Sequence, residues 1–207
     1  WEAHAKSMAS KFGVAFQALS MTASPQKGDS IEAFAREHRR QLLQSVMHLG
    51  DVMLFAQHEY DQAETLLTQL CRGAGVDGLA GMAYVRSFGD GQLVRPLLAV
   101  SKASIMAYAY EHQLAWMEDP SNQDMRFSRN FMRHTILPAL EKHYTGVVGA
   151  IARSARHCQQ AAKWQSYWVL DHLPRLVDGQ MLHIKVLKTY TTDKQLVLLK
   201  SWINQHG

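Results

Sequence analysis

The chain has 207 residues, 47% of them hydrophobic and 19% charged, with 13 glycines and 5 prolines. That composition excludes intrinsic disorder, a collagen-like repeat and a disulfide-dense miniature fold, and suits one large domain or a medium one with a small companion. No apolar run approaches the ~18 residues of a membrane span, and a formal charge of +4 with eleven histidines leans toward polyanionic partners such as RNA or nucleotides.

Residues Trp1–Phe12 read as a helix already under way, with Trp1, Ala5, Met8 and Phe12 at helical spacing and Gly13 as its stop. An opening of this kind, on Trp instead of Met, is expected of a piece of a longer protein. Val14–Met21 is an apolar, strand-like run, and Thr22–Asp29 a turn-rich loop. Ser30 is placed to cap a helix over Ile31–Leu49, broken at Gly50-Asp51. Val52–Ala56 (VMLFA) then fits a strand buried on both faces of a parallel sheet. A helix follows from near Asp61 to Arg72, with Gly73 at its end. The glycine-rich stretch Gly73–Gly91 reads as loop with one short helix. Gln92–Val100 is extended and interrupted by Pro96, and Ser101 caps a helix running to Gln113. Glu118–Asn122 (EDPSN) is a turn. A helix from about Arg126 to Leu137 is expected to stop at Pro138. Val147–Leu170 forms one long helix, and after it come a strand-like MLHIKVL and a final amphipathic helix. Alternating helices and strands predict a partial α/β doubly wound parallel sheet, Rossmann-like, over residues 1–144, then a mainly helical part over 145–207.

Chemistry concentrates in Phe55–Leu67 (FAQHEYDQAETLL). Ligands of open α/β sheets bind beyond the carboxyl ends of strands, against the following helix starts. His58, Asp61 and Glu64 come directly after a strand, and the two acids, three residues apart, project from nearly one face. Carboxylates there can hold Mg²⁺, take a proton from an amine or bind an ammonium group. Two other readings stay open: simple helix capping, and a transition-metal site with His58. Arg126, Arg129 and Arg133 fall at i, i+3 and i+7 with Asn130 and His134 beside them. Such a stripe suits a triphosphate or an RNA backbone, or else a solvated face paired with Glu118 and Asp119. Arg36 and Arg39, with Arg40 alongside, form a smaller version on the earlier helix. Trp164 and Trp168 read as core packing in preference to a base-stacking platform, and Met8, Met47 and Met53 read as core filler. Cys71 and Cys158, outside any CxxC or Cys/His spacing, read as two reduced thiols in a cytoplasmic protein.

Taken together, HEYDQAETLLTQLCRGAG with GLAGM, EAFAREHRR, RPLL, EDPSN and RFSRNFMRHTILPAL resemble, in order and spacing over about residues 30–140, the tRNA(Ile)-lysidine synthetase group of the N-type ATP pyrophosphatase (PP-loop) family. Residues 145–207 resemble that group's helical tRNA-contacting region in general character only. The resemblance implies an ATP-dependent ligase. It adenylates the C2 oxygen of the wobble cytidine in isoleucine tRNA with anticodon CAU, releases pyrophosphate and attaches lysine. On that reading Asp61, Glu64, His58 and Arg129 are catalytic, and Arg36, Arg39, Arg72, Arg126, Asn130 and Arg133 bind nucleotide or tRNA. ATP is the cofactor, Mg²⁺ bridges its phosphates without a protein cage, and a homodimer is left open. The family's HHxDDQAET motif is departed from at Gln57 and Tyr60, and its SGGxDS loop has no counterpart here. The 207-residue chain is therefore expected to be inactive by itself. Competing expectations are a non-catalytic RNA-binding relative and another PP-loop tRNA-modifying enzyme, the latter disfavoured by the absence of CxxC pairs.

Overall fold

The computed structural model describes residues 1–21, 24, 31–124 and 128–206. The predicted Ser30 cap, most of the Thr22–Asp29 loop and Arg126 lie outside them. Helix α1 spans Glu2–Lys11, and Gly13 follows it at φ +65°, as its stop position requires. Val14–Met21 was expected to be a strand but pairs with no strand among the described residues. Its Val14, Phe16, Leu19 and Met21 are exposed, so apolar composition without a neighbouring edge has not made a strand. Helix α2, Ile31–Ser45, ends before the expected Leu49.

Three strands form the main sheet: β1 (Val52–Leu54), β2 (Val85–Phe88) and β3 (Gly91–Val94), in the order β1-β3-β2. β1 lies parallel to β3 with Met53 opposite Leu93, while β2 and β3 form an antiparallel hairpin. The hairpin corrects the reading of Gly73–Gly91 as loop, although its short helix is there as α4 (Val76–Leu79). One sheet face packs Met53, Leu93 and Phe88 against Leu43 and Met47 of the α2 end. The other leaves Val52 and Leu54 exposed, so β1 is not buried on both sides.

Helix α3 (Glu59–Cys71) starts at the carboxyl end of β1, and α5 (Lys102–Glu111) follows β3, its start capped by Ser101 Oγ accepting from Ser104 N at 3.0 Å. Asp119 Oδ1 accepts from Ser121 N at 2.9 Å and opens a 3₁₀ turn, Pro120–Gln123. Helix α6 (Ser128–Phe131) passes through a π-helical stretch, Met132–Ile136, into α7 (Leu137–His143). Pro138 thus does not stop the helix. Leu137 N–H reaches back five residues to Met132 O, and the proline falls in the first turn of α7, where its missing N–H is tolerated.

The 26-residue α8 (Val147–His172) packs along α3 and α4. A short hairpin, β4 (Val177–Asp178) and β5 (Met181–Leu182), precedes α9 (Ile184–Leu187) and α10 (Thr192–His206). The expected strand over MLHIKVL is therefore half strand and half helix. Val169, Leu173, Leu176, Leu187 and Leu198 form a second core, with Trp168 against it. Trp164 is 74% exposed, which corrects its assignment to the core.

Buried Gln62 ties α3 to the loop after α4. Its Oε1 accepts from Met82 N at 2.8 Å and its Nε2 donates to Met82 O at 3.0 Å. Gly81, at φ +62°, lets that loop close on it: a Cβ there would stand 2.8 Å from Gln62 Oε1. Gln159 of α8 donates to Ala80 O and Met82 O from the far side. Replacing Gln62 by Ala strands the Met82 amide, and a cost of about 1–3 kcal/mol is expected as a lowered urea midpoint.

Candidate active site

His58 is the N-cap of α3, with extended backbone. Its Nδ1 accepts from Tyr60 N at 3.2 Å, and its own backbone N–H donates to Asp61 Oδ2 at 2.9 Å. Acceptance at Nδ1 assigns the ring proton of the neutral imidazole to Nε2, which lies 3.6 Å from Asp61 Oδ2. The capping reading of Asp61 is therefore right for one of its oxygens. The box is made by His58 and Asp61, and Glu64 takes no part in it.

The other oxygens do something different. Asp61 Oδ1 accepts from Arg129 Nη2 at 2.6 Å and Arg133 Nη2 at 2.8 Å. Glu64 Oε2 accepts from Arg129 Nε at 2.6 Å, and Oε1 from Arg133 Nε at 2.5 Å. Two carboxylates and two guanidiniums thus form a closed, formally neutral quartet. Glu64 is fully buried and Asp61 nearly so, while the Arg129 side chain remains 45% exposed. Helical spacing puts both acids on the face of α3 that meets α6 and the π stretch, and puts both arginines, four residues apart, on the facing side. Burial opposes the charge of Arg129, but its bonds to Glu64 and Asp61 outweigh that and raise its pKa.

Of the remaining predicted site residues, Asn130 and His134 hold the Glu118–Asn122 turn in place. Asn130 Nδ2 donates to Ser121 O and Asp124 O, and His134 Nε2 lies 2.8 Å from Asn122 O. Arg36 and Arg39 are exposed on α2 and Arg72 is exposed at the far end of α3; none joins the quartet. Arg126 lies outside the described residues. Three of the four carboxylate oxygens are taken by arginines and the fourth, Asp61 Oδ2, by the His58 amide, and among the described residues no group of His, Cys, Asp and Glu is arranged to hold a metal. A transition-metal site at His58, Asp61 and Glu64 does not fit this geometry. A cavity of about 380 Å³ lies elsewhere, between α8 and α10, lined in part by Asp77, Gln165, Lys200 and Asn204.

The PP-loop domain family matches residues 1–140. The chain belongs to the PP-loop family. It is similar to the tRNA(Ile)-lysidine synthase of Coxiella burnetii, 40% identical over all of this chain and 46% of that protein. The synthase of Methylococcus capsulatus is 41% identical over all of this chain and 48% of its own length. That of Pseudomonas aeruginosa is 38% identical over 99% of this chain and 48% of its own. The chain spans about half the length of these curated relatives.

Within this PP-loop chain, the two departures from the family motif have visible tasks. Tyr60 stands beside the quartet, its hydroxyl 3.4 Å from Arg133 O and 3.5 Å from Glu141 Oε2. Burial first, and then Glu141, push its pKa up to about 12, so it stays a phenol. Gln57 Oε1 accepts from Arg95 Nε at 2.8 Å, and Arg95 Nη1 donates to Ala83 O at 2.7 Å. Sequence reasoning assigned no role to Arg95 or Gln62. The signal for Arg95 was its place directly after a strand; for Gln62, lying between Asp61 and Glu64 in the chain and sharing its face with Glu59 and Thr65, no local pattern gave one.

Two outcomes follow from the quartet. Arg133→Met leaves buried Glu64 with a single partner, and a loss of about 3 kcal/mol is expected in denaturant unfolding. Arg133→Lys recovers part of it, since an ammonium cannot reproduce the fork. Burial depresses the His58 pKa below its ordinary 6.5, partly countered by Asp61. The neutral ring is favoured in the folded state, so this contribution is present above about pH 6.5 and is lost as pH falls through the folded value. His58→Asn keeps a capping side chain without a titrating group, and its urea midpoint is expected to fall less than the wild type's between about pH 7.5 and about pH 5.5.

Proposed function

We propose that the full-length protein forms lysidine in isoleucine tRNA with anticodon CAU, using ATP and lysine. The observation that carries this reading is the buried Asp61–Glu64 pair held against Arg129 and Arg133 at the helix start beyond the β1–β3 strand ends. The names of the relatives support it as well. In the first step the C2 oxygen of the wobble cytidine bonds to the α-phosphorus of ATP. The bond to the β-phosphate breaks, and pyrophosphate leaves with its electron pair. Arg129 and Arg133 supply charge for those phosphates, with exposed Arg36 and Arg39 as further cations. Mg²⁺, when bound, would neutralise charge on the triphosphate.

In the second step lysine binds by its side-chain ammonium. Phosphates drawing on a guanidinium free a carboxylate position, and half-exposed Arg129 is the member placed to move. The ammonium takes its place between Asp61 and Glu64 and gives up a proton to a carboxylate. The nitrogen lone pair then bonds to C2, the C2–O bond breaks, and AMP departs with the electrons. Neutral His58 orients Asp61 through the cap. Residues 1–144 form the nucleotide-handling part and 145–207 a helical part that contacts tRNA; exposed Arg72, and Arg126 outside the described residues, serve RNA or nucleotide contact, and Asn130 serves it by holding the Glu118–Asn122 turn. The proposed place of action is the cytoplasm; no helix among the described residues is long and apolar enough to cross a membrane. A homodimer is compatible with the same scheme.

The test is transfer of labelled lysine to tRNA(Ile) by the full-length protein. Wild type is expected to incorporate lysine only with ATP, and Asp61→Asn to reduce the rate at least ~100-fold with a raised KM for lysine. Glu64→Gln, checked for folding by circular dichroism, is expected to do likewise. RNA binding without any lysine incorporation by wild type overturns the enzyme in favour of a non-catalytic binding relative.

A further inference from the structure

A second charged group at the strand ends has no part in the scheme above. Arg95 directly follows β3 and is only 5% exposed. Arginines that are buried to this degree are almost always paired with acids, because an uncompensated charge in a low dielectric is costly. Arg95 forms no ion pair with any described carboxylate. Its guanidinium donates from Nε to Gln57 Oε1 and from Nη1 to Ala83 O, both neutral acceptors, and the Nη2 amino group makes no hydrogen bond to a described residue. Burial, and then the nearby charge of Arg86, push its pKa down.

A purely structural role explains part of this. The guanidinium does tie the end of β1, through Gln57, to the end of β3 and the loop before β2. A neutral amide could make the same tie at lower desolvation cost, so the charge itself calls for another explanation. The location offers one. Phe55 N donates to Val94 O at 2.9 Å, so Gln57 and Arg95 leave the parallel β1–β3 pair side by side at its carboxyl edge, where α/β sheets bind their ligands.

We propose that Arg95, held in place by Gln57, is an oxyanion receptor that binds a phosphate or a carboxylate of a small substrate through its unbonded Nη2 edge. Guanidinium forks match both groups bidentately. In this reading Gln57 is a positioning residue. It fixes the Nε side of the fork without neutralising it, which an acid at the same place would do. The Gln57 departure from the family's histidine is thereby accommodated, since an imidazole nitrogen can also accept from Nε. The inference rests on this geometry alone and stands whether or not the reaction is lysidine formation.

Calorimetric titration of the full-length protein with inorganic pyrophosphate and, separately, with lysine tests it. Gln57→Glu places an internal anion on Arg95 and is expected to raise the melting temperature while weakening one of the two probes at least tenfold. Gln57→His is expected to keep that affinity within about threefold. Weakened pyrophosphate binding identifies a phosphate as the ligand, and weakened lysine binding with unchanged pyrophosphate identifies the amino-acid carboxylate. Arg95→Gln is expected to lose the same probe as Gln57→Glu. The proposal is overturned if Gln57→Glu and a folded Arg95→Gln both bind the two probes within twofold of wild type, or if wild type binds neither.

Discussion

Glu64 carries its carboxylate at zero exposure in the middle of a packed helix face, and the surrounding structure depends on how that charge is answered. Taking an ion out of water costs several kcal/mol, and the cost is recovered only with short, well-aligned partners on the remaining lone pairs. Arg129 and Arg133 meet that condition together, each bridging Asp61 and Glu64 across a separation of 65 to 72 residues in the chain. The quartet therefore fixes how α6 and the π stretch sit on α3. Ala63, Leu137 and Val148 pack beside it as a small apolar cluster. The π turn shares in this arrangement, since it lies in the segment that carries Arg133 and hands the chain on to Pro138.

Closed ion quartets are structurally satisfied and chemically poised at the same time. Every bond within this one is charge-assisted and directional, so it holds geometry well. It is also an exchangeable set: an incoming ammonium resembles a guanidinium to the acids, and an incoming phosphate resembles a carboxylate to the arginines. Within the quartet Arg129 is half exposed while Glu64 is fully buried. Arg95 contrasts with this arrangement. It is buried like the acids but is answered only by an amide and a carbonyl, which leaves a net charge at the strand ends.

Helices were the most legible part of the chain. The Gly13 and Gly73 stops, the Ser101 cap and the Asp119 turn are local devices, and each appears where its residues put it, whereas the helix expected to reach Gly50 ends at Ser45. Strands were less legible, because a strand exists only through its neighbour. Val14–Met21 has the composition of a strand and no pairing edge among the described residues, while Val85–Phe88 carries polar Arg86 and Ser87 at its centre and becomes one through the hairpin with β3. Pro138 misled in the other direction, since a proline stop presumes regular α-helical bonding upstream and the chain supplies a five-residue step instead.

By itself the sequence determined that Asp61 and Glu64 share a helix face after a strand and that Arg129 and Arg133 share another, because helical periodicity is a property of neighbouring residues. Tertiary structure alone decided that the two faces meet, since ion pairing across some seventy residues depends on which surfaces are desolvated together. It also decided that Gln57 serves Arg95 and that Asn130 serves a turn. Hydrogen bonds of that kind follow from which backbone groups folding leaves without partners, and no local pattern of side chains records it.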